Sequence, residues 1–143
     1  MDPRLLNGGI AVDDRGSVSF VNDFDFLGVK RFYCVENHRS GFIRAWHGHM
    51  MEAKYVYVVK GTALVGAVKL SKDNDNIPQP QRFVLSEKSP KVLYIPAGYA
   101  NGFKTLEEGT KIMFFSTKTL QESLGDDIRF PHNTWDIWSE DFR

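Results

Sequence analysis

A lone cysteine, Cys34, stands in 143 residues, so no disulfide can close within one chain. That excludes a disulfide-stapled secreted module and points to a reducing compartment, the cytoplasm. Cys34 lies between Tyr33 and Val35 and reads as a small buried hydrophobe. An excess of one charge is also missing: Lys+Arg and Asp+Glu number 18 each. Without a basic surplus there is no sequence-independent grip on nucleic acid, and none is expected as a partner. No apolar run reaches the roughly 18 residues of a membrane helix, and "MDPRLLNGGIAVDD" has no apolar leader core. Neither a membrane span nor a secretion signal is therefore expected. Helix signals are scarce as well, with one turn expected at Leu120–Leu124.

What the chain has is β-forming sequence. It is 42% hydrophobic and 13% aromatic, a globular composition, and its length suits one domain spanning residues 1–143. Runs rich in Val, Ile, Phe and Tyr, punctuated by Gly, Pro, Asn and Asp, predict strands at Ser17–Val21, Lys30–Glu36, Gly41–Trp46, Lys54–Lys60 and Thr62–Leu70. Others are expected at Arg82–Leu85, Lys91–Ile95, Gly102–Thr105 and Lys111–Ser116. The polar stretch Ser71–Gln81 reads as a solvated loop. Many short strands in one domain mean an all-β sandwich or barrel, and a jelly roll fits this length.

The chemistry concentrates in "GFIRAWHGHMMEAKYVYVVKG". On a strand, His47 and His49 point to the same face, with Gly48 between them. Gly41, His47, His49, Lys54 and Gly61 fall at the spacing of the first cupin motif, with Lys54 in the place of the acid. The second motif pairs a Pro-x-Gly turn with a later histidine; here the turn is Pro96-Ala97-Gly98 and the later residue is Asn101. The four places that would hold a metal thus read His, His, Lys, Asn. A lysine ammonium has no lone pair and repels a cation, so no metal and no cofactor are expected. Glu52 lies three residues beyond His49, on the opposite face of a regular strand. Two imidazoles, a cation and an amide suit proton transfer beside a developing oxyanion.

These residues resemble the cupin-class nucleotide-sugar 3,5-epimerases, the dTDP-4-dehydrorhamnose 3,5-epimerase family. The family's Arg-Gly-Leu-His-x-Gln strand is similar to Arg44-Ala45-Trp46-His47-Gly48-His49. Its Ile-Pro-x-Gly-Phe-Ala-His-Gly-Phe turn is similar to "IPAGYANGF", its Asp-x-Arg-Gly to Asp13-Asp14-Arg15-Gly16, and its Asn before the histidine strand to Asn37. The resemblance implies His47 as general base, with Asp141, or its neighbour Glu140, as the carboxylate partner. It implies Lys54 as the stabiliser of an enolate, with His49 or Asn101 adding hydrogen bonds. Arg15 and Arg44 would meet the pyrophosphate or sugar oxygens, as fork-shaped donors do. It also implies a homodimer that exchanges N-terminal strands, here "GSVSFVNDF".

This chain departs from the family at three places. The family's tyrosine acid appears as Phe114, its turn histidine as Asn101, and its Gln after the catalytic histidine as His49. A phenyl ring donates no proton, so Tyr99 or Tyr57 is the candidate replacement. The expectation is a metal-independent epimerase of a nucleotide-diphosphate 4-keto-6-deoxy sugar, dTDP-linked in the family, acting at one carbon, C3 or C5, in surface-polysaccharide biosynthesis. A nucleotide-sugar 3,4-ketoisomerase is the alternative enzyme, and a non-catalytic sugar-nucleotide-binding or assembly cupin the alternative of another class. A metal-dependent dioxygenase or isomerase ranks last, because of Lys54 and Asn101.

Overall fold

The computed structural model describes residues 1–71, 78–140 and 143. Part of the expected loop Ser71–Gln81, together with Asp141 and Phe142, lies outside the described residues. Among the described residues, twelve strands and one short helix run in the order β1 Arg4–Asn7, β2 Gly9–Asp13, β3 Gly16–Phe20, β4 Arg31–Glu36, β5 Ile43–His49, β6 Lys54–Lys60, β7 Thr62–Lys69, β8 Gln81–Ser86, β9 Lys91–Ile95, β10 Tyr99–Thr105, β11 Lys111–Ser116, α1 Leu120–Leu124 and β12 Ile128–Arg129. Two antiparallel five-stranded sheets, ordered β1-β9-β6-β11-β4 and β12-β5-β10-β7-β8, form a cupin jelly-roll sandwich, and β2 and β3 make a separate hairpin.

Alternation along the strands builds the core. Val56 and Val58 of β6, Leu93 of β9, Ile112 and Phe114 of β11, and Ala63, Val65 and Ala67 of β7 meet between the sheets. Full burial of each larger aliphatic side chain contributes about 1.5–3 kcal/mol, taken as an upper figure. β7 is buried on both faces. Its Leu64 and Val68 pack outward against Trp46 and Trp138, so the C-terminal segment covers the back of the second sheet. Both indole N–H groups donate to the His132 carbonyl, at 3.2 Å for Trp46 and 3.1 Å for Trp138.

The expected strands are present with ends shifted by a few residues, and the helix spans the expected Leu120–Leu124. Three strands carry no hydrophobic alternation of their own. β1 is an edge strand that pairs with β9, β2 is held by β3, and the two residues of β12 pair with Gly48 and His47. Cys34 corrects its reading: it is exposed, because Arg31, Tyr33 and Val35 take the inward face of β4.

Candidate active site

β5 carries the two imidazoles and is shaped by an irregularity. Asn101 of β10 pairs with His47 while Phe103 pairs with Arg44, so Ala45 and Trp46 together oppose Gly102. Such a bulge changes which face the next residue meets. It places Arg44, three residues before His47, on the cavity wall with His47 and His49. Gly102 is required there: a Cβ would stand 2.4 Å from the Ala45 Cβ. Gly48 has a similar duty on the outer face, where a Cβ would lie 3.0 Å from Leu70 and 3.3 Å from the Ile128 carbonyl oxygen.

After His49 the chain leaves the strand, and Asp126 holds the turn. Its carboxylate accepts the N–H groups of Met50 and Met51 at 2.9 and 2.8 Å. The turn carries Glu52 inward, where it is 2% exposed. That corrects the outward placement expected for a continuous strand. Glu52 Oε2 lies 3.1 Å from His49 Nδ1 and accepts the Ser123 hydroxyl at 3.0 Å. Its Oε1 accepts the Ser116 hydroxyl and Nη2 of Arg31, the latter at 3.3 Å. Ser123 is available because Thr119 and Glu122 form a capping box that starts α1 and turns Ser123 inward.

His49 Nδ1 also meets the Asp126 carbonyl oxygen at 2.7 Å. A carbonyl and a carboxylate oxygen both accept, so Nδ1 carries the hydrogen. Nε2 is left to meet whatever occupies the cavity that His49 lines.

His47 is half-buried and makes no side-chain hydrogen bond among the described residues. Burial holds its pKa below the usual histidine value, and Arg129 and Lys54 push the same way. Lys54, at the start of β6, is 7% exposed. Its ammonium lies 6.0 Å from the Tyr33 ring centroid and 5.9 Å from that of Phe114. Burial lowers the Lys54 pKa, Glu52 opposes the shift, and Arg31 adds to it.

These groups surround a cavity of about 250 Å³ between the sheets, closed on one side by α1 and β12. Arg31, Arg44, Lys54 and Arg129 line it against one carboxylate, Asp127, so it favours an anion. Among the described residues no three His, Cys, Asp or Glu side chains are grouped to hold a metal ion. The approach of Glu52 to His49 makes no cation site, since the partners of its oxygens are hydroxyl, guanidinium and imidazole hydrogens.

Of the expected site residues, His47, His49, Lys54, Arg44 and Asn101 line this cavity, as does Phe114. Asn37 stands behind it, accepting Nε of Arg44 at 2.7 Å and donating to Thr105 Oγ1 at 3.3 Å. Tyr99 is buried with its hydroxyl donating to Asp2 at 3.3 Å, and Tyr57 lies on the face of β6 opposite Lys54; neither reaches the cavity. Arg15 sits at the tip of the β2–β3 hairpin against Asp13, 85% exposed and away from this chain's cavity. Glu140 is exposed, and Asp141 lies outside the described residues.

Sequence reasoning missed Arg31, Tyr33, Asp127 and Arg129. The alternation in "RFYCVE" could have marked the first two. "DDIR" reads as a surface turn, yet Asp126 anchors the loop after β5 while Asp127 and Arg129 enter the cavity wall.

Imidazole, ammonium and guanidinium groups thus converge on one cavity inside a cupin jelly roll. The family model described as dTDP-4-dehydrorhamnose 3,5-epimerase matches residues 10–139, and the chain belongs to that family. It is 28% identical over 138 residues to the spore coat polysaccharide biosynthesis protein SpsL of Bacillus subtilis (strain 168), covering 92% of this chain and 91% of that protein. It is 26% identical over 126 residues to a dTDP-4-dehydrorhamnose 3,5-epimerase of Salmonella typhimurium, covering 81% of this chain and 69% of that one. Among solved structures, a dTDP-4-dehydrorhamnose 3,5-epimerase from Bacillus anthracis with TDP and PPi bound superposes with a TM-score of 0.79. That match is 24% identical and covers 95% of this chain and 86% of the other.

Proposed function

We propose that the protein epimerises a dTDP-linked 4-keto-6-deoxy sugar at one carbon, C3 or C5, without a metal, in the biosynthesis of a surface polysaccharide. The observation that carries the reading is the pair of imidazoles on β5 facing a buried lysine in a cation-lined cavity. The ketone acidifies the adjacent C–H, and His47, kept neutral by its surroundings, accepts that proton. Lys54 meets the enolate oxygen, and Asn101 adds a hydrogen bond; donors of this kind contribute a few kcal/mol each. His49 presents Nε2 with Glu52 behind it, so positive charge arriving there is balanced. Arg44, steadied by Asn37, and Arg129 suit the diphosphate.

A homodimer in the cytoplasm completes the proposal. Val12 and Val18 of the hairpin are 76% and 64% exposed, an apolar surface that a second copy would cover. A second copy would also bring Arg15 to a cavity that its own chain does not let it reach. No helix among the described residues is long and apolar enough to cross a membrane. Two imidazoles on one wall also suit a 3,4-ketoisomerase, which needs no donor on the opposite wall.

The deciding experiment is incubation with dTDP-4-keto sugars in deuterated water, read by NMR at each sugar carbon. Deuterium with inversion at C3 or C5 is the expected result. Migration of the ketone to C3 would favour the ketoisomerase. Binding without exchange at any carbon would sink the catalytic reading.

A further inference from the structure

Inverting a carbon takes a proton off one face and delivers another to the opposite face. The two imidazoles belong to β5 in the second sheet. The wall contributed by the first sheet holds Phe114 of β11 and Tyr33 of β4, which are direct partners in the ladder. Their rings stack with centroids 5.1 Å apart and 12° between planes. Phe114 has no proton to give. Tyr33 is the one phenol among the residues lining the cavity, and its hydroxyl makes no hydrogen bond to a described residue.

Burial, and then the charge of Glu52, push the Tyr33 pKa up to about 12 against the opposing pull of Arg31, so the hydroxyl keeps its proton at neutral pH. Positive charge waits beside the ring for a phenolate. The Arg31 guanidinium stands 5.0 Å from its centroid and the Lys54 ammonium 6.0 Å.

We infer that Tyr33 is the acid of the reaction, delivering a proton to the face of the enolate turned away from His47. The inference rests on the proposed epimerase reading and supplies the donor that Phe114 cannot. The balance is simple. His47 takes the C–H proton and becomes imidazolium, and the bonding pair becomes the enolate. The same carbon then bonds to the Tyr33 proton, leaving a phenolate. Exchange with water returns both side chains to their starting state, and no further reactant is needed.

Tyr33→Phe tests this with the full chain and a dTDP-4-keto-6-deoxy sugar in deuterated water, reading inversion and deuterium uptake separately. The substitution removes one oxygen that makes no hydrogen bond to a described residue, so the variant should melt with the wild type. The expected result is a loss of inversion of at least about 100-fold. Deuterium should still enter the same carbon with retained configuration, because the histidine can hand back an exchanged proton. Inversion at the wild-type rate would overturn the assignment. So would equal loss of inversion and exchange, which would mean that Tyr33 only shapes the pocket. A wild-type protein that exchanges no sugar proton would overturn the epimerase reading itself, and this assignment with it.

Discussion

His49 is held on its Nδ1 side by a buried carboxylate and a backbone carbonyl, whereas His47, two residues earlier on the same face of β5, has no bonded partner among the described residues. Around His47, Arg129 on the adjoining strand and Lys54 from the other sheet instead outweigh the carboxylate of Asp127. Strand periodicity makes the two equivalent in direction and says nothing about charge. The difference comes from the segment just past β5: the turn pinned by Asp126 brings the Glu52 carboxylate against one imidazole and not against the other. One imidazole has its hydrogen fixed on Nδ1, and the other is held neutral as an acceptor. Proton abstraction beside a ketone uses such a free base, with Lys54 as the cation near the oxygen.

The largest effect should come from the unpaired imidazole. His47→Ala is expected to reduce kcat/KM by about 100-fold or more while leaving the melting temperature near that of the wild type, as a half-buried side chain without bonds allows. If His49→Ala proved the more damaging of the two in parallel assays, the roles assigned to the pair would be reversed.

Glu52→Gln ranks next. It keeps the shape but removes the charge shared by His49, Arg31 and Lys54, and a loss of roughly tenfold is expected for a positioning group. The pH profile should move with it. Burial already depresses the Lys54 pKa and Glu52 is the leading group holding it up, so losing that charge lowers it further. The ammonium then deprotonates sooner, and the alkaline limb of kcat/KM shifts to lower pH. An unmoved limb with tenfold lower rate would reduce Glu52 to packing.

Much of this arrangement was legible in the sequence. Period-two alternation marks the long strands, and Thr119-x-x-Glu122 marks the helix α1. The spacing of His47, His49 and Lys54 was enough to bring them into one cavity. The unread parts share a cause. Glu52 sits where the end of β5 breaks the alternation, and β12 depends on pairing with Gly48 and His47 rather than on any pattern of its own. Tyr33 was hidden differently: its role depends on lying across the ladder from Phe114, a pairing between residues far apart in sequence. Regular alternation turns Tyr57 away from the cavity, and the Tyr99 hydroxyl is spent on Asp2.

A smaller shift should come from Arg129→Gln. Burial, Arg129 and Lys54 together keep the His47 pKa below 6.5, so the base stays neutral, and activity persists, to lower pH than an ordinary histidine would allow. Removing the Arg129 charge raises that pKa, and the acid limb of kcat/KM should move to higher pH. A limb that stayed in place would mean that a group other than His47 controls it.

The smallest effect expected is none. Prolonged treatment with a chelator should leave turnover unchanged, and elemental analysis of the purified protein should find no stoichiometric iron, manganese, nickel or zinc. The reason lies in the donor set rather than in the fold, which has room for an ion. Lys54 puts an ammonium where a ligand would be needed, and the Glu52 carboxylate is already turned toward the hydrogens of Arg31, Ser116, Ser123 and His49. To bind a cation, Glu52 would have to abandon these partners, leaving the partly buried Arg31 guanidinium without its carboxylate. Metal at one equivalent per chain, with activity that falls on its removal, would show that this exchange does take place and would undo the division of roles between His47 and His49.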